Sequence, residues 1–556
     1  MADVDRPASG SAGGWRPLTL VLLGGVWIAS LCNWPLWVRL ARLPEMGSVR
    51  GAVFIAGFAL MIAALTTGAL ALAAWRHSVK PAIAVFVISA AIGAYFMGTY
   101  GVVLDPTMMT NVLQTDPREV GELLSPQLLA NIVVLAVAPL LWLWRAPVRT
   151  APFPRQALRN GLAVVGCLVV IVALIVALFA DLSATMRNHR SIRYLINPFN
   201  AYFSLGVLAG KAGARPAGPP EEIGRDARLA ARPPGTRPPL VVLVVGETAR
   251  SDHFSLNGYP RPTNPELAKA DVVSFTDVSS CGTNTAASLP CMFSALDRDA
   301  FTARDRVQEN VLDVAQRVGL AVLWVDNQSG CKGLCDRVPH AAAIDPVAGD
   351  AAPSDALCKD GECYDEALLH GLDKRVAALP EERRRRGILI VLHQMGSHGP
   401  AYYKRSPPDR KPFRPECETA VLQECSRESV VNAYDNTIAY TDHFLAETIR
   451  WLRQHAEGHD PTLLYLSDHG ESLGENNLYL HGLPYALAPR EQKHVPMVAW
   501  FGGDRPGSDP RLACLRQRRD VPLSHDHLFH TLLGLLGIEA SEYVTSLDAF
   551  APCRGK

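Results

Sequence analysis

Charge is scarce in this chain. Of its 556 residues only 19% are Asp, Glu, Lys or Arg, below the roughly 25% typical of soluble domains. The 54 basic residues balance the 54 acidic ones, so there is no case for a nucleic-acid binder. Cysteine is nearly missing from the first half, where Cys32 and Cys167 are the only two of twelve. No CxxC recurs at zinc-ribbon spacing, which argues against structural zinc held on sulfur. Gly and Pro are too dilute for a fibrous or wholly disordered chain, and the length suggests several domains.

What is present is unevenly spread. Five runs contain no Asp, Glu, Lys or Arg: Pro17 to Val38, Gly51 to Trp75, Pro81 to Leu104, Leu123 to Trp144 and Asn160 to Ala180. A helix needs about 20 apolar residues to cross a bilayer, and each run is long enough. Five in succession leave no polar face to meet water, which disfavours core helices of a soluble protein. Nothing after Ala180 resembles them. Arg145, Arg149, Arg155 and Arg159, like Arg76 and Lys80, mark cytoplasmic loops, whereas Asp105, Asp116, Glu119 and Glu122 mark a loop on the other side. Arg39, Arg42 and Arg50 argue against this scheme, but the sum of the loops favours it. Everything after Ala180 is then expected outside the cytoplasm, with the first span an uncleaved anchor.

The other ten cysteines lie beyond residue 280 in couples: Cys281/Cys291, Cys331/Cys335, Cys358/Cys363, Cys417/Cys425 and the more distant Cys514/Cys553. An even count in an exported domain reads as disulfides, with nearest-neighbour pairing as the working connectivity. Between the halves, Asn197-Pro198 resembles a helix start. Phe199, Tyr202, Phe203 and Val207 would share one side of that helix, fitting a segment in the membrane interface or one packed on the soluble domain. The Pro-rich stretch Ala214 to Pro239 reads as a tether. The expected domains are 1–182 (transmembrane), 183–239 (interfacial helix and linker) and 240–556 (catalytic).

From Leu240 short apolar runs alternate with helical stretches: Leu240 to Val245, Leu320 to Val325, Ile388 to Leu392, Leu463 to Leu466 and Val495 to Phe501. Such runs fit strands covered on both faces, as in a parallel sheet between helices. Ligands of open sheets bind beyond the carboxyl ends of the strands. There the sequence places Glu247, then Asp326-Asn327-Gln328, then His393 to His398, then Asp468-His469. Singly, an acid after a strand is more often a helix cap. Jointly, Glu247, Asp468 and His469 offer the oxygen and nitrogen donors of a zinc site with an open position. The loop Ser280 to Cys291 is rich in Ser, Thr and small residues, which fits either an ordinary N-cap or a phosphate-binding helix start with a nucleophile.

Taken together these residues resemble the inner-membrane phosphoethanolamine transferases of Gram-negative bacteria, which include lipid A and mobile colistin-resistance enzymes. The resemblance rests on five spans, Val244-Val245-Gly246-Glu247-Thr248, Leu256-Asn257-Gly258-Tyr259 and Ser280 to Ser294. Gly396-Ser397-His398-Gly399-Pro400, Ser467-Asp468-His469-Gly470-Glu471 and His481-Gly482 extend it. It implies an N-terminal five-helix transmembrane bundle plus a periplasmic α/β domain of alkaline phosphatase/sulfatase type, with a mostly parallel sheet between helices. It also implies zinc on Glu247, Thr285, Asp468 and His469, with Thr285 as nucleophile and His398 or His481 handling protons. At least one Zn2+ is expected, and a second is left open.

Substrate contacts implied by the resemblance fall on Lys332, His398 and His481, and a lipid-substrate motif falls on Asn111, Thr115 and Glu119, whose spacing suggests one helical face. An Asn of some relatives aligns near Gln328, with Asn327 one place earlier, so that contact is unassigned. The implied reaction moves phosphoethanolamine from phosphatidylethanolamine to lipid A through a covalent enzyme intermediate, giving polymyxin resistance. The expected setting is a monomer in the inner membrane with its catalytic domain in the periplasm and no nucleic-acid partner. The rivals are another acceptor such as core heptose or periplasmic glucan, a membrane-anchored phosphohydrolase, or a non-catalytic scaffold.

Overall fold

A computed structural model describes residues 14–115, 120–121, 123–149, 151–214, 218–349, 352–359, 361–455, 458–502 and 510–554. Glu119 lies outside the described residues. The chain forms two compact units, one of the described residues up to Met109 with Leu124–Leu208, the other of Thr110–Leu123 with the residues from Ala209 onward.

In the first unit five helices are long and apolar enough to cross a membrane: α1 (Pro17–Ala41), α2 (Val49–Ala71), α3 (Val79–Thr99), α4 (Pro126–Arg145) and α5 (Phe153–Ala177). Their outward faces carry apolar side chains such as Leu22, Val53, Leu162 and Val176, which water would reject and hydrocarbon accepts. Small residues let the helices approach: a Cβ on Gly98 would sit 2.1 Å from the Trp34 ring. Pro139 lacks the N–H that would bond the Leu135 carbonyl in a regular helix, and α4 widens to a π turn at Val133–Val137. The Trp27 indole donates to that carbonyl at 3.0 Å.

Helix α6 (Phe199–Ala214) follows Asn197, whose amide donates to the carbonyls of Cys32 (2.9 Å) and Ala90 (2.6 Å). Asn200 and Ser204 both donate to the Leu104 carbonyl. Phe199 and Tyr202 pack edge-on against Phe86, so this face of α6 is docked on the bundle.

The second unit is built on an eight-stranded sheet. Its strands are β1 (Pro239–Gly246), β2 (Val273–Ser279), β3 (Ala321–Asp326), β4 (His340–Ala342), β5 (Ile388–His393), β6 (Asp460–Ser467), β7 (His494–Phe501) and β8 (Leu523–Ser524). Their order across the sheet is β8-β2-β7-β6-β1-β5-β3-β4. All neighbours are parallel except at β7, which runs antiparallel to both β2 and β6.

Alternation explains the unbroken apolar runs. Along β1, Val241, Leu243 and Val245 enter one core with helices α7 (Thr285–Met292) and α9 (Asp526–Leu536). Leu240, Val242 and Val244 enter the other core, with Tyr434, Ile438 and Phe444 of the 28-residue α8 (Arg427–Gln454). The Pro-rich stretch contributes a short strand, Arg228–Leu229, paired with Ile538–Glu539. All five cysteine couples are disulfide-bonded as nearest neighbours: Cys281–Cys291, Cys331–Cys335, Cys358–Cys363, Cys417–Cys425 and Cys514–Cys553. Cys32 and Cys167 are free.

Candidate active site

Because every strand but β7 points the same way, the carboxyl ends of β1, β2, β3, β5 and β6 share one edge, and β7 begins there. Glu247 follows β1, and Asp468 and His469 follow β6. The chain leaving β2 turns through Ser280–Asn284 into α7, whose first residue is Thr285. Asn284 caps α7 by accepting from the Ala287 N–H at 2.9 Å, and the Cys281–Cys291 disulfide ties the incoming loop to that helix. Gly282 is required here, since a Cβ would stand 2.8 Å from the Ser288 nitrogen.

These elements bring four side chains together. Thr285 Oγ1 lies 3.0 Å from Glu247 Oε2 and 3.5 Å from His469 Nε2. His469 Nε2 lies 3.2 Å from Glu247 Oε1 and 3.5 Å from Asp468 Oδ2. All four residues are buried. The Gly470 carbonyl takes the Nδ1–H of His469 at 2.9 Å, so Nε2 faces the two carboxylates. Asp468 Oδ1 accepts from the backbone N–H of Thr248 and of His469, but Oδ2 has no hydrogen-bond partner among the described residues. Two carboxylates and an imidazole nitrogen converging on one point fit a divalent cation, and these atoms lie within 4.8 Å of one another.

Charge follows the same logic. Burial disfavours the imidazolium of His469, but Asp468 and Glu247 overcome it and raise the group to about 10. Burial likewise raises Glu247, and the hydrogen bond and charge of His469 outweigh it and lower the carboxyl. Asp468 is raised, by burial and then by Glu247. The site thus holds its negative charge only while a positive charge sits among its donors.

Two further histidines close over the cluster. The ring of His481 is 4.4 Å from that of His469 and 5.6 Å from that of His398. His481 Nδ1 is 2.9 Å from Glu471 Oε2, which fixes its ring. The Thr283 carbonyl accepts from Gly482 N–H at 2.8 Å, tying this loop to the one that carries Thr285. Burial lowers His398 to about 3, so it stays neutral.

Lys332 stands apart from these contacts: its ammonium donates to Ser329 Oγ at 2.8 Å and to the Gln114 carbonyl at 3.4 Å. Of Asn111, Thr115 and Glu119, expected on one helical face, the described residues include the first two. The helix Pro106–Gln114 stops one residue short of Thr115, whose hydroxyl donates back to the Asn111 carbonyl at 2.7 Å.

Further side chains hold these loops in place, among them His525, which no sequence pattern singles out. Ser288 accepts from Gly282 N–H and donates to the Asp468 carbonyl, so α7 is pinned to the loop of Asp468. Beneath it His525 accepts from Cys281 N–H at 3.1 Å and donates to the Ser467 carbonyl at 2.9 Å. Asp326 pairs with His393 at 2.9 Å. The run Ser524-His525-Asp526 carries no apolar or metal-ligand signature of its own.

Comparison with known proteins agrees with this architecture. Residues 61–211 match the family described as phosphoethanolamine transferase EptA/EptB, and residues 239–538 match the sulfatase family. Phosphoethanolamine transferase EptA of Salmonella typhimurium is 39% identical over 548 residues, 96% of each chain. Phosphatidylethanolamine transferase Mcr-1 of Escherichia coli is 40% identical over 498 residues, 87% of this chain and 90% of that one. The integral membrane lipooligosaccharide phosphoethanolamine transferase A of Neisseria meningitidis superposes with a TM-score of 0.89 at 33% identity, covering 96% of this chain and 98% of that one. On these matches, and with this arrangement of spans and sheet, the chain belongs to the phosphoethanolamine transferase family.

Proposed function

We propose that the protein transfers phosphoethanolamine from phosphatidylethanolamine to a lipid A phosphate, from an inner-membrane anchor with its catalytic domain in the periplasm. The observation that carries this reading is the convergence of Thr285 Oγ1 with Glu247, Asp468 and His469 at the start of a helix. The family resemblance and the relatives' names support the donor and the acceptor.

Glu247, Thr285, Asp468 and His469 would hold a Zn2+ ion, which when bound supplies Lewis acidity that lowers the pKa of a coordinated hydroxyl. The remaining work falls to the chain. Thr285 Oγ1 attacks the donor phosphorus, and the bond from phosphorus to the diacylglycerol oxygen breaks. Diacylglycerol leaves with a proton, and phosphoethanolamine stays on Thr285. The acceptor phosphate then takes the group and frees the hydroxyl. The N-terminus of α7 favours the anionic phosphoryl group. His481, oriented by Glu471, is placed to give and take protons at Nε2, while neutral His398 accepts hydrogen bonds from substrate. Lys332 and the segment of Asn111, Thr115 and Glu119 are assigned to substrate.

Adding an ammonium to lipid A reduces the negative surface that draws cationic peptides, so polymyxin resistance is the expected phenotype. Intact mass of wild type and Thr285→Ala after exposure to phosphatidylethanolamine tests the nucleophile. A phosphoethanolamine adduct is expected on wild type alone, and equal labelling of both refutes the assignment. Mass spectrometry of lipid A from cells with and without the gene tests the acceptor.

A further inference from the structure

Asp365 lies 3% exposed near the end of the sheet that carries the site, and among the described residues its hydrogen-bond partners include none of the four converging side chains. Its carboxylate accepts four N–H groups: Asn327 Nδ2 (2.8 Å) and Met395 N (2.8 Å) on Oδ1, Gly396 N (3.0 Å) and Gln394 Nε2 (3.1 Å) on Oδ2. Among the described residues none of these partners is cationic. A buried carboxylate held only by neutral donors is costly unless every lone pair is used, and here the donors fill both oxygens.

Three of the four donors belong to the turn Gln394–Gly396, which leads into His398. That turn lies against the backbone of Glu247. Ser397 N–H donates to the Glu247 carbonyl at 3.0 Å, and Gln394 N–H donates to the Val245 carbonyl at 3.0 Å. Gly396 has φ +53°, and a Cβ there would stand 2.8 Å from the Glu247 carbonyl oxygen. The fourth donor, Asn327, leaves β3. Its second amide hydrogen goes to the Cys363 carbonyl at 3.0 Å, in the small hairpin closed by Cys358–Cys363 two residues before Asp365.

We propose that Asp365 is a positioning residue of the transfer site, acting by clamping the Gln394–Gly396 turn so that Glu247 and His398 keep their places on either side of the phosphoryl group. This rests on the transferase reading above. Asp365→Asn keeps the shape but turns one oxygen into an amide. In either orientation that NH2 faces two N–H donors, Asn327 with Met395 or Gly396 with Gln394.

The test compares full-length wild type and Asp365→Asn in micelles with fluorescent phosphatidylethanolamine. It measures kcat and KM, zinc content, and hydrogen exchange of the peptide covering residues 394–398. The variant is expected to lose about 10- to 100-fold in kcat, with KM changed less than kcat, zinc content equal to wild type and exchange at 394–398 accelerated. A role in stability alone would lower Tm and leave the kcat of the folded protein intact. A kcat within twofold of wild type together with unchanged exchange overturns the proposal. Should Asp365→Asn fail to fold, Asn327→Ala removes one donor and keeps the carboxylate, and is expected to lose about 3- to 10-fold in kcat. A loss below twofold there also overturns the proposal. If wild type takes nothing from the donor lipid, the transferase reading fails on its own account. Exchange then still decides the clamp: faster at 394–398 in the variant supports it, unchanged overturns it.

Discussion

Ser288→Ala deletes one hydroxyl from the joint between α7 and the loop of Asp468. Ser288 is fully buried. In its absence the Gly282 N–H, 3.3 Å from Oγ, loses its acceptor and the Asp468 carbonyl loses its donor. His525 Nδ1 keeps the Cys281 N–H. An orphaned buried backbone group costs about 1 to 3 kcal/mol, so the pair should cost about 2 to 6 kcal/mol. At roughly 2 to 4 °C per kcal/mol, Tm should fall by about 4 to 24 °C. Activity should fall as well, because Thr285 is three residues from the lost anchor. Thermal unfolding of the full-length protein measures the first quantity and donor turnover the second. Thr302→Ala is the control: it removes an exposed hydroxyl bonded to the carbonyl four residues back and should change stability by less than about 0.5 kcal/mol. If Ser288→Ala unfolds no lower than that control, the joint is not what fixes α7.

Two further outcomes are expected. Burial lowers His525 to about 4 from an ordinary value of 6.5, so the folded protein keeps it neutral where the unfolded chain takes up a proton. Its contribution is complete above pH 6.5 and is lost as pH falls toward 4, at about 1.4 kcal/mol per unit. The slope of Tm against pH in that window should therefore be steeper for wild type than for His525→Gln, and identical slopes would refute the assignment. Chelation should abolish adduct formation on Thr285 and lower Tm, since Glu247 and Asp468 then face each other without a cation. Adding back Zn2+ should restore both, and a chelated protein that labels at the untreated rate would refute a metal role.

The spans were legible because a membrane helix announces itself by what its stretch of chain omits. The strands β1, β3, β5, β6 and β7 were legible because burial on both faces leaves an unbroken apolar run. The strand β2 escaped, since Thr276, Asp277 and Ser279 interrupt its apolar run. The reversal of β7 escaped too, because apolar content says nothing about direction. At the site, Glu247, Asp468 and His469 could be grouped from their shared place after strands. Thr285 needed the family resemblance, since a loop rich in hydroxyls does not single one out. Asp365 and His525 had no local signature, because their role is to receive or give hydrogen bonds across 30 or more residues of sequence separation.

The reversed strand β7 has a consequence for how such a protein diversifies. Because β6 ends and β7 begins on the same rim, the chain from Asp468 to Lys493 departs and returns without passing under the sheet. That excursion carries His481 and closes on itself through the short pairing of Ser472–Leu473 with Tyr479–Leu480. Within it Tyr485 donates to the Ser280 carbonyl at 2.9 Å, so the same excursion that carries His481 also braces the loop leading into Thr285, and a change of its length would reach the site through that bond while the strand register stays untouched.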